Sequence, residues 1–212
     1  MALKTKKEKV SPDKLRGVPR SKSNMNKLRI TGGYLKGRNI ALLDNGSARY
    51  TSSKVREAVF NILSNVRGLK ILDLFAGSGS FTIEAMSRGA SFATSVEKDQ
   101  NMAILLQKNL SSLSIDKHCL VLNMDVKYAV PLLCRDMNKY DIIFMDPPYE
   151  KGLVTETMLF LKNNAVYDKN TIFIAEYSKK ETIEPFAGKS FREITTRGYG
   201  DTVISIFKID EL

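Results

Sequence analysis

From residue 69 to the C-terminus, short apolar runs alternate with stretches whose apolar residues recur every three or four positions. The segments LKILDLF (69–75), SFATSVE (91–97), HCLVLNM (118–124), YDIIFMD (140–146) and NTIFIAEY (170–177) read as strands, near-continuously apolar and so buried on both faces. Between them, GSFTIEAMSRG (79–89), residues 100–113, a short stretch after Asp125 and residues 153–162 read as helices, the first ended by Gly89. The last segment, FREITTRGYGDTVISIFKI, alternates about a glycine-rich turn, which predicts a hairpin with strands near 191–196 and 202–209. Such alternation predicts an α/β fold: a doubly wound, mostly parallel seven-stranded sheet covered on both faces, with one antiparallel strand from the final hairpin.

The N-terminal part has a different pattern. Leu28 and Ile30 alternate about Arg29, Gly32-Gly33 gives a turn signal, and a second strand is expected through Leu35, Arg38 and Ile40. Ser52 or Ser53 is placed to cap a helix with an apolar stripe of Val55, Ala58, Val59, Ile62 and Leu63. The expected division is a basic tail without fixed structure over 1–25, a basic β-hairpin and linker over 26–50, and the α/β domain over 51–212.

Charge sharpens that division. Residues 1–40 hold twelve Lys or Arg and two acids, whereas residues 41–212 balance at 21 of each sign. A positive excess confined to one end attracts a polyanion. It carries no bulky apolar face for a membrane surface. No apolar run approaches the roughly 20 residues of a membrane span, and the basic start lacks the apolar stretch of a secretory signal. Cys119 and Cys134 are too few for a disulfide framework and form no CxxC pair, so reduced core thiols and a cytoplasmic location are expected. His118 is the only histidine and has no Cys or His at ligand spacing, so no metal site is expected.

In a doubly wound sheet, ligands bind at the C-terminal ends of the strands. Three such ends carry chemistry here. LDLFAGSGS places Asp73 at a strand end and Gly77 and Gly79 in the turn that follows, where glycine lets backbone N–H groups approach a ligand. No Lys follows as in a triphosphate loop, and Thr82 stands where a dinucleotide fingerprint needs its third glycine. Glu97 ends the next strand, where an acid accepts from both hydroxyls of a ribose. Asp125 closes the third and is placed to accept from an adenine amino group, with Val126 against the ring. Together these acids call for an adenosine without a phosphate. The fourth strand runs into Asp146, Pro147, Pro148 and Tyr149.

The segments LRITGGYLKGR, TSSKVREAVFNIL, LDLFAGSGSFTIEAMSRGA, VEKD and FMDPPY, in that order, resemble the bacterial small-subunit ribosomal RNA guanine-N2 methyltransferases of the RsmD family, within the class I S-adenosylmethionine-dependent methyltransferases. The resemblance implies a Rossmann-like fold. It places Asp73, Ala76, Gly77 and Gly79 beside the methionine part of S-adenosylmethionine, Glu97 on the ribose, and Asp125 with Val126 on the adenine. It departs in RYTSS, where members often have proline then threonine after the arginine, and in Tyr149, where they often have phenylalanine. On this reading Asp146 and the Pro147 carbonyl accept the hydrogens of a guanine amine, Pro148 holds Pro147 extended, and Tyr149 stacks on the flipped base. The implied partner is 16S rRNA in an assembled or assembling small subunit, met by a monomer. Lys27, Arg29, Lys36, Arg38, Arg49, Lys54 and Arg56 are the candidate RNA contacts, Arg56 also being placed to reach the cofactor carboxylate or to buttress the DPPY loop. Two other readings remain: an adenine-N6 DNA methyltransferase, for which the chain lacks room for a target-recognition domain, and a non-catalytic RNA-binding protein on the same scaffold.

Overall fold

A computed structural model describes residues 26–43, 53–183 and 191–209. It begins with a two-stranded antiparallel ribbon, β1 (Lys27–Arg29) and β2 (Asn39–Ala41), in which Leu28 faces Ile40. Helix α1 (Ser53–Leu63) follows. Then strands β3 (Lys70–Asp73), β4 (Phe92–Val96), β5 (Cys119–Leu122), β6 (Tyr140–Met145), β7 (Tyr167–Ser178), β8 (Phe191–Tyr199) and β9 (Thr202–Ile209) form one sheet. Its order is β5-β4-β3-β6-β7-β9-β8. Every pairing from β5 to β7 is parallel, and β9 alone runs against its neighbours. The β8–β9 turn is two residues long, with Tyr199 paired to Thr202 and Gly200 at a φ of 66° that a side chain would strain.

The crossovers are α2 (Ser80–Ser87), α3 (Gln100–Ser112), α4 (Val126–Arg135) and α5 (Leu153–Asn163). Asp99 and Asp125 each end a strand–helix loop and cap the helix beyond, accepting from Met102 N at 2.9 Å and Lys127 N at 3.1 Å. The continuous apolar runs are explained by two cores. Ile71, Ile142, Phe144 and Ile174 point into one with α1 and α2, while Leu72, Ile143, Met145 and Ala175 point into the other with α4 and α5. Cys119 and Cys134 are free thiols packed against these cores, and burial pushes the Cys119 thiol up to about 12.

The ribbon departs from expectation in the extent of its second strand. That strand starts only at Asn39, and Gly32-Gly33 open the connecting loop, with Gly33 at a φ of 74° and its carbonyl accepting from Lys36 N at 3.2 Å. These glycines also allow the loop to lie on the C-terminal end of α2. A Cβ on Gly33 would sit 1.8 Å from the Ser87 carbonyl oxygen, which accepts from Tyr34 N at 2.9 Å. Leu28, Ile30, Leu35, Ile40 and Leu42 enter the same apolar cluster as Val59, Phe60 and Ile83.

Arg56 requires a correction. It is completely buried and offers RNA no surface. Its Nε donates to Glu84 Oε2 at 3.1 Å, and a terminal nitrogen donates to the Arg29 carbonyl at 2.7 Å. The helical stripe of α1 is accordingly Val55, Arg56, Val59, Phe60 and Leu63, with Ile62 left exposed. Glu84 also accepts from Thr31 N, Thr31 Oγ1 and Arg88 Nε at 2.7–2.9 Å, so one buried carboxylate ties ribbon, α1 and α2 together.

Candidate active site

The chain runs β3, β4, β5 toward one edge and then crosses to lay β6 on the other side of β3. The loops after β3 and β6 therefore diverge, which opens a crevice at the C-terminal strand ends. It is a cleft of about 1210 Å³ bordered by Asp73, Ala76, Gly77, Glu97, Asp125, Val126 and the whole of Asp146–Tyr149. All of the sequence-predicted cofactor and catalytic residues meet here except Gly79.

Gly79 does not border the cleft; its glycine serves packing. It enters α2 at a φ of 85°, and a Cβ would lie 2.2 Å from Leu106 Cδ1 of α3. Gly77, also at positive φ, keeps the loop open and donates its N–H to Glu97 Oε2 at 2.8 Å. Glu97 Oε1 accepts from Asp99 N at 2.7 Å, so its carboxylate is oriented by two backbone donors. Asn109 of α3 donates to the Ser78 carbonyl and to the Ala41 carbonyl, each at 3.0 Å, linking the glycine loop to β2.

Asp73 is buried at the cleft floor. Thr82, the residue in the place of a third glycine, donates its hydroxyl to Asp73 Oδ2 at 2.8 Å. Asp73 Oδ1 is buried with no hydrogen-bond partner among the described residues. Burial pushes the Asp73 carboxyl up to about 7, with the charges of Asp146 and Glu97 adding to it and the Thr82 hydroxyl and Phe75 backbone N–H opposing it. At the other end of the cleft the Lys98 ammonium, 2.8 Å from Asp125 Oδ2, holds the Asp125 carboxyl below its usual range. Unfilled acceptors and clustered negative charge suit a ligand with hydroxyls, amino groups and a net positive centre. These acceptors fit S-adenosylmethionine.

The second wall is the corner after β6. Pro147 is buried and Pro148 exposed, and two consecutive prolines fix the turn. The Tyr149 hydroxyl lies 3.0 Å from Glu176 Oε1 and 3.1 Å from Thr202 Oγ1. Burial first, and then the Glu176 carboxylate, raise the phenol well above its ordinary value, so it stays protonated and donates. Glu176 and Thr202, from β7 and β9, border the cleft and were missed from the sequence. The signal for Glu176 was present: an acid near the end of the apolar run IFIAEY, like the acids at the end of β3 and just after β6.

Of the candidate RNA contacts, Lys27, Arg29, Lys36, Arg38 and Lys54 are exposed. Lys27 and Arg29 share the outer side of β1, opposite buried Leu28. Arg38 also donates to the Ser112 carbonyl at 3.2 Å. Arg49 lies outside the described residues. Among the described residues, no three His, Cys, Asp or Glu are grouped to hold a metal ion.

Comparison with known proteins agrees with this geometry. Residues 28–208 match the family model described as Conserved hypothetical protein 95. Ribosomal RNA small subunit methyltransferase D of Buchnera aphidicola is 38% identical over 161 residues, which span 74% of this chain and 81% of that protein. A tRNA (guanine(10)-N2)-dimethyltransferase of Methanocaldococcus jannaschii is 32% identical over 134 residues, 60% of this chain and 37% of that longer protein. The solved structure of yhhF from Escherichia coli superposes with a TM-score of 0.77 at 27% identity, covering 88% of this chain and all of that one. The chain thus belongs to the RsmD-like family of rRNA methyltransferases, built on the class I S-adenosylmethionine-dependent fold.

Proposed function

We propose that this protein transfers a methyl group from S-adenosylmethionine to the exocyclic N2 amine of one guanine in small-subunit (16S) ribosomal RNA, acting as a monomer on an assembled or assembling subunit. One observation carries the reading: the rigid acid–proline corner Asp146–Pro147 borders the same cleft as the buried Asp73 and oriented Glu97. The relatives support the substrate class, one named for the small ribosomal subunit and another for guanine N2.

S-adenosylmethionine supplies, when bound, an electrophilic methyl group on a positively charged sulfur. Asp73, Ala76, Gly77, Glu97, Asp125 and Val126 are the residues that would hold it. The chain's other task is to make a poor nucleophile attack. The lone pair of a guanine amine is delocalised into the ring. Asp146 and the Pro147 carbonyl accept its two hydrogens and draw the nitrogen toward a pyramidal geometry. Proline brings no N–H to compete at that point. Tyr149 offers its ring face to the flipped base, a contact worth about 1–3 kcal/mol, and its hydroxyl is anchored to two strands. Asp146 then takes the proton released from the amine. Lys27, Arg29, Lys36, Arg38 and Lys54 supply phosphate contacts that position RNA without reading bases.

The test is methyl transfer by Asp146→Ala and Tyr149→Ala proteins with cofactor affinity measured in parallel. Asp146→Ala is expected to lose about 10²–10³ in turnover, the scale of a lost preorganised partner, with cofactor affinity changed only a few-fold. Near-full turnover would remove Asp146 from its role. Mass-spectrometric mapping of the methylated nucleotide, in rRNA from cells lacking the gene and after treatment with purified enzyme, decides the position.

A further inference from the structure

Glu176 is a carboxylate set in an apolar strand and only 3% exposed, a costly placement for a charged group. A phenol hydroxyl needs one acceptor, and any neutral oxygen would serve. The position of Glu176 is more telling. Met145 pairs with Ala175 as the last rung of the parallel β6–β7 ladder, so Asp146, just past the end of β6, and Glu176, within β7, are the residues that follow that rung. Both border the cleft. Two carboxylates thus stand level at its substrate side, with Tyr149 bonded to one of them.

A row of acceptors matches one purine edge. Guanine presents N1–H and the N2 amine side by side, all donors, whereas adenine and 2-aminopurine present an acceptor at N1. We infer that Glu176 reads the base, its carboxylate accepting the N1–H of the guanine whose N2 amine lies at Asp146. An N1 acceptor would bring a lone pair against a carboxylate in a water-poor site. The inference rests on the methyl-transfer reading above and adds its base specificity. It also accounts for the bond to Tyr149: the same side chain orients the stacking ring and the edge contact, so the base is gripped on face and edge together.

The experiment uses small subunits reconstituted with either guanine or 2-aminopurine at the nucleotide that the wild-type enzyme methylates. Both bases keep the reacting amine. Wild-type enzyme is expected to favour guanine by about 10²-fold or more in kcat/KM, as sites built around a hydrogen bond do. Glu176→Gln keeps an oxygen for Tyr149 but sets an amide N–H donor against the N1–H donor. It is expected to lose guanine activity by about 10–100-fold and to bring the ratio to about one or below. Glu176→Asp, which keeps the charge, is expected to retain the preference for guanine at a reduced rate. A Glu176→Gln enzyme with the wild-type ratio overturns the inference while leaving N2 transfer intact. If that variant does not fold, wild-type enzyme that methylates both bases alike overturns it. If wild-type enzyme places no methyl on guanine N2, the functional reading fails first and takes this inference with it.

Discussion

Two carboxylates, one on α2 and one hydrogen-bonded to it, are buried to nearly the same degree, and they behave in opposite ways. Glu84, inside α2, is 0% exposed, and Asp73, held by Thr82 of that helix, is 1% exposed. Glu84 takes hydrogen bonds from Thr31, Arg56 and Arg88, and those donors hold its carboxyl below the usual range despite its burial. Asp73 has only the Thr82 hydroxyl and the Phe75 backbone N–H against burial and neighbouring negative charge, and is raised to about 7. Burial alone therefore does not mark a functional acid. The distinguishing feature is how many donors the fold itself provides. A saturated carboxylate is a structural joint, and one left short beside a cleft is complementary to something the chain does not contain.

The largest expected effect comes from breaking the joint. Glu84→Ala leaves the Arg56 guanidinium buried without its carboxylate and is expected to cost about 3–5 kcal/mol in urea unfolding. A loss below about 1 kcal/mol would mean that the ribbon is held by its apolar contacts and that the saturated carboxylate is incidental. The next effect is on the other acid. Asp73→Asn keeps an oxygen for Thr82 and removes the charge, so stability at pH 8 is expected to hold or rise. S-adenosylmethionine affinity, measured by calorimetry, is expected to fall about 10–100-fold, the scale of a hydrogen bond to a charged partner. Equal loss of stability and affinity would collapse the distinction between the two acids.

The sheet was readable from the sequence because parallel strands covered on both faces leave continuous apolar runs, and the lone antiparallel strand announced itself by alternation and Gly200. The acids at the ends of β3 and β4 and after β6 were readable for a related reason: carboxylates at the tips of apolar strands have no structural excuse in a linear pattern. Arg56 was misjudged because its partner is 28 residues away, and a cation on a helix looks solvated until that partner is known. Gly32-Gly33 do form part of the hairpin connection, but their second task was hidden. A turn signal and a close approach of backbone to another helix use the same residue, and only the tertiary contact with Ser87 separates them. Gly79 belongs with them, since Leu106 rather than a ligand occupies the space its side chain would need.

The smallest expected effect sharpens the comparison through pH. Native Asp73 keeps its proton up to about 7, whereas the unfolded chain releases it near 3.8. Between these values the native state binds more protons, so stability from this group falls as pH rises through the window. Glu84 has the opposite sign. Its contribution is present above its ordinary value of 4.5 and is lost as pH falls through its lowered native value. A cationic ligand wants Asp73 ionised, so S-adenosylmethionine affinity is expected to rise between pH 6 and pH 8, by about tenfold at most. In Asp73→Asn protein both the affinity rise and the falling stability slope should flatten, while the acid-side loss from Glu84 remains. An unchanged affinity rise in that variant would transfer the titration to another carboxylate of the cleft, and Asp73 would then be a buried neutral acid with no part in holding charge.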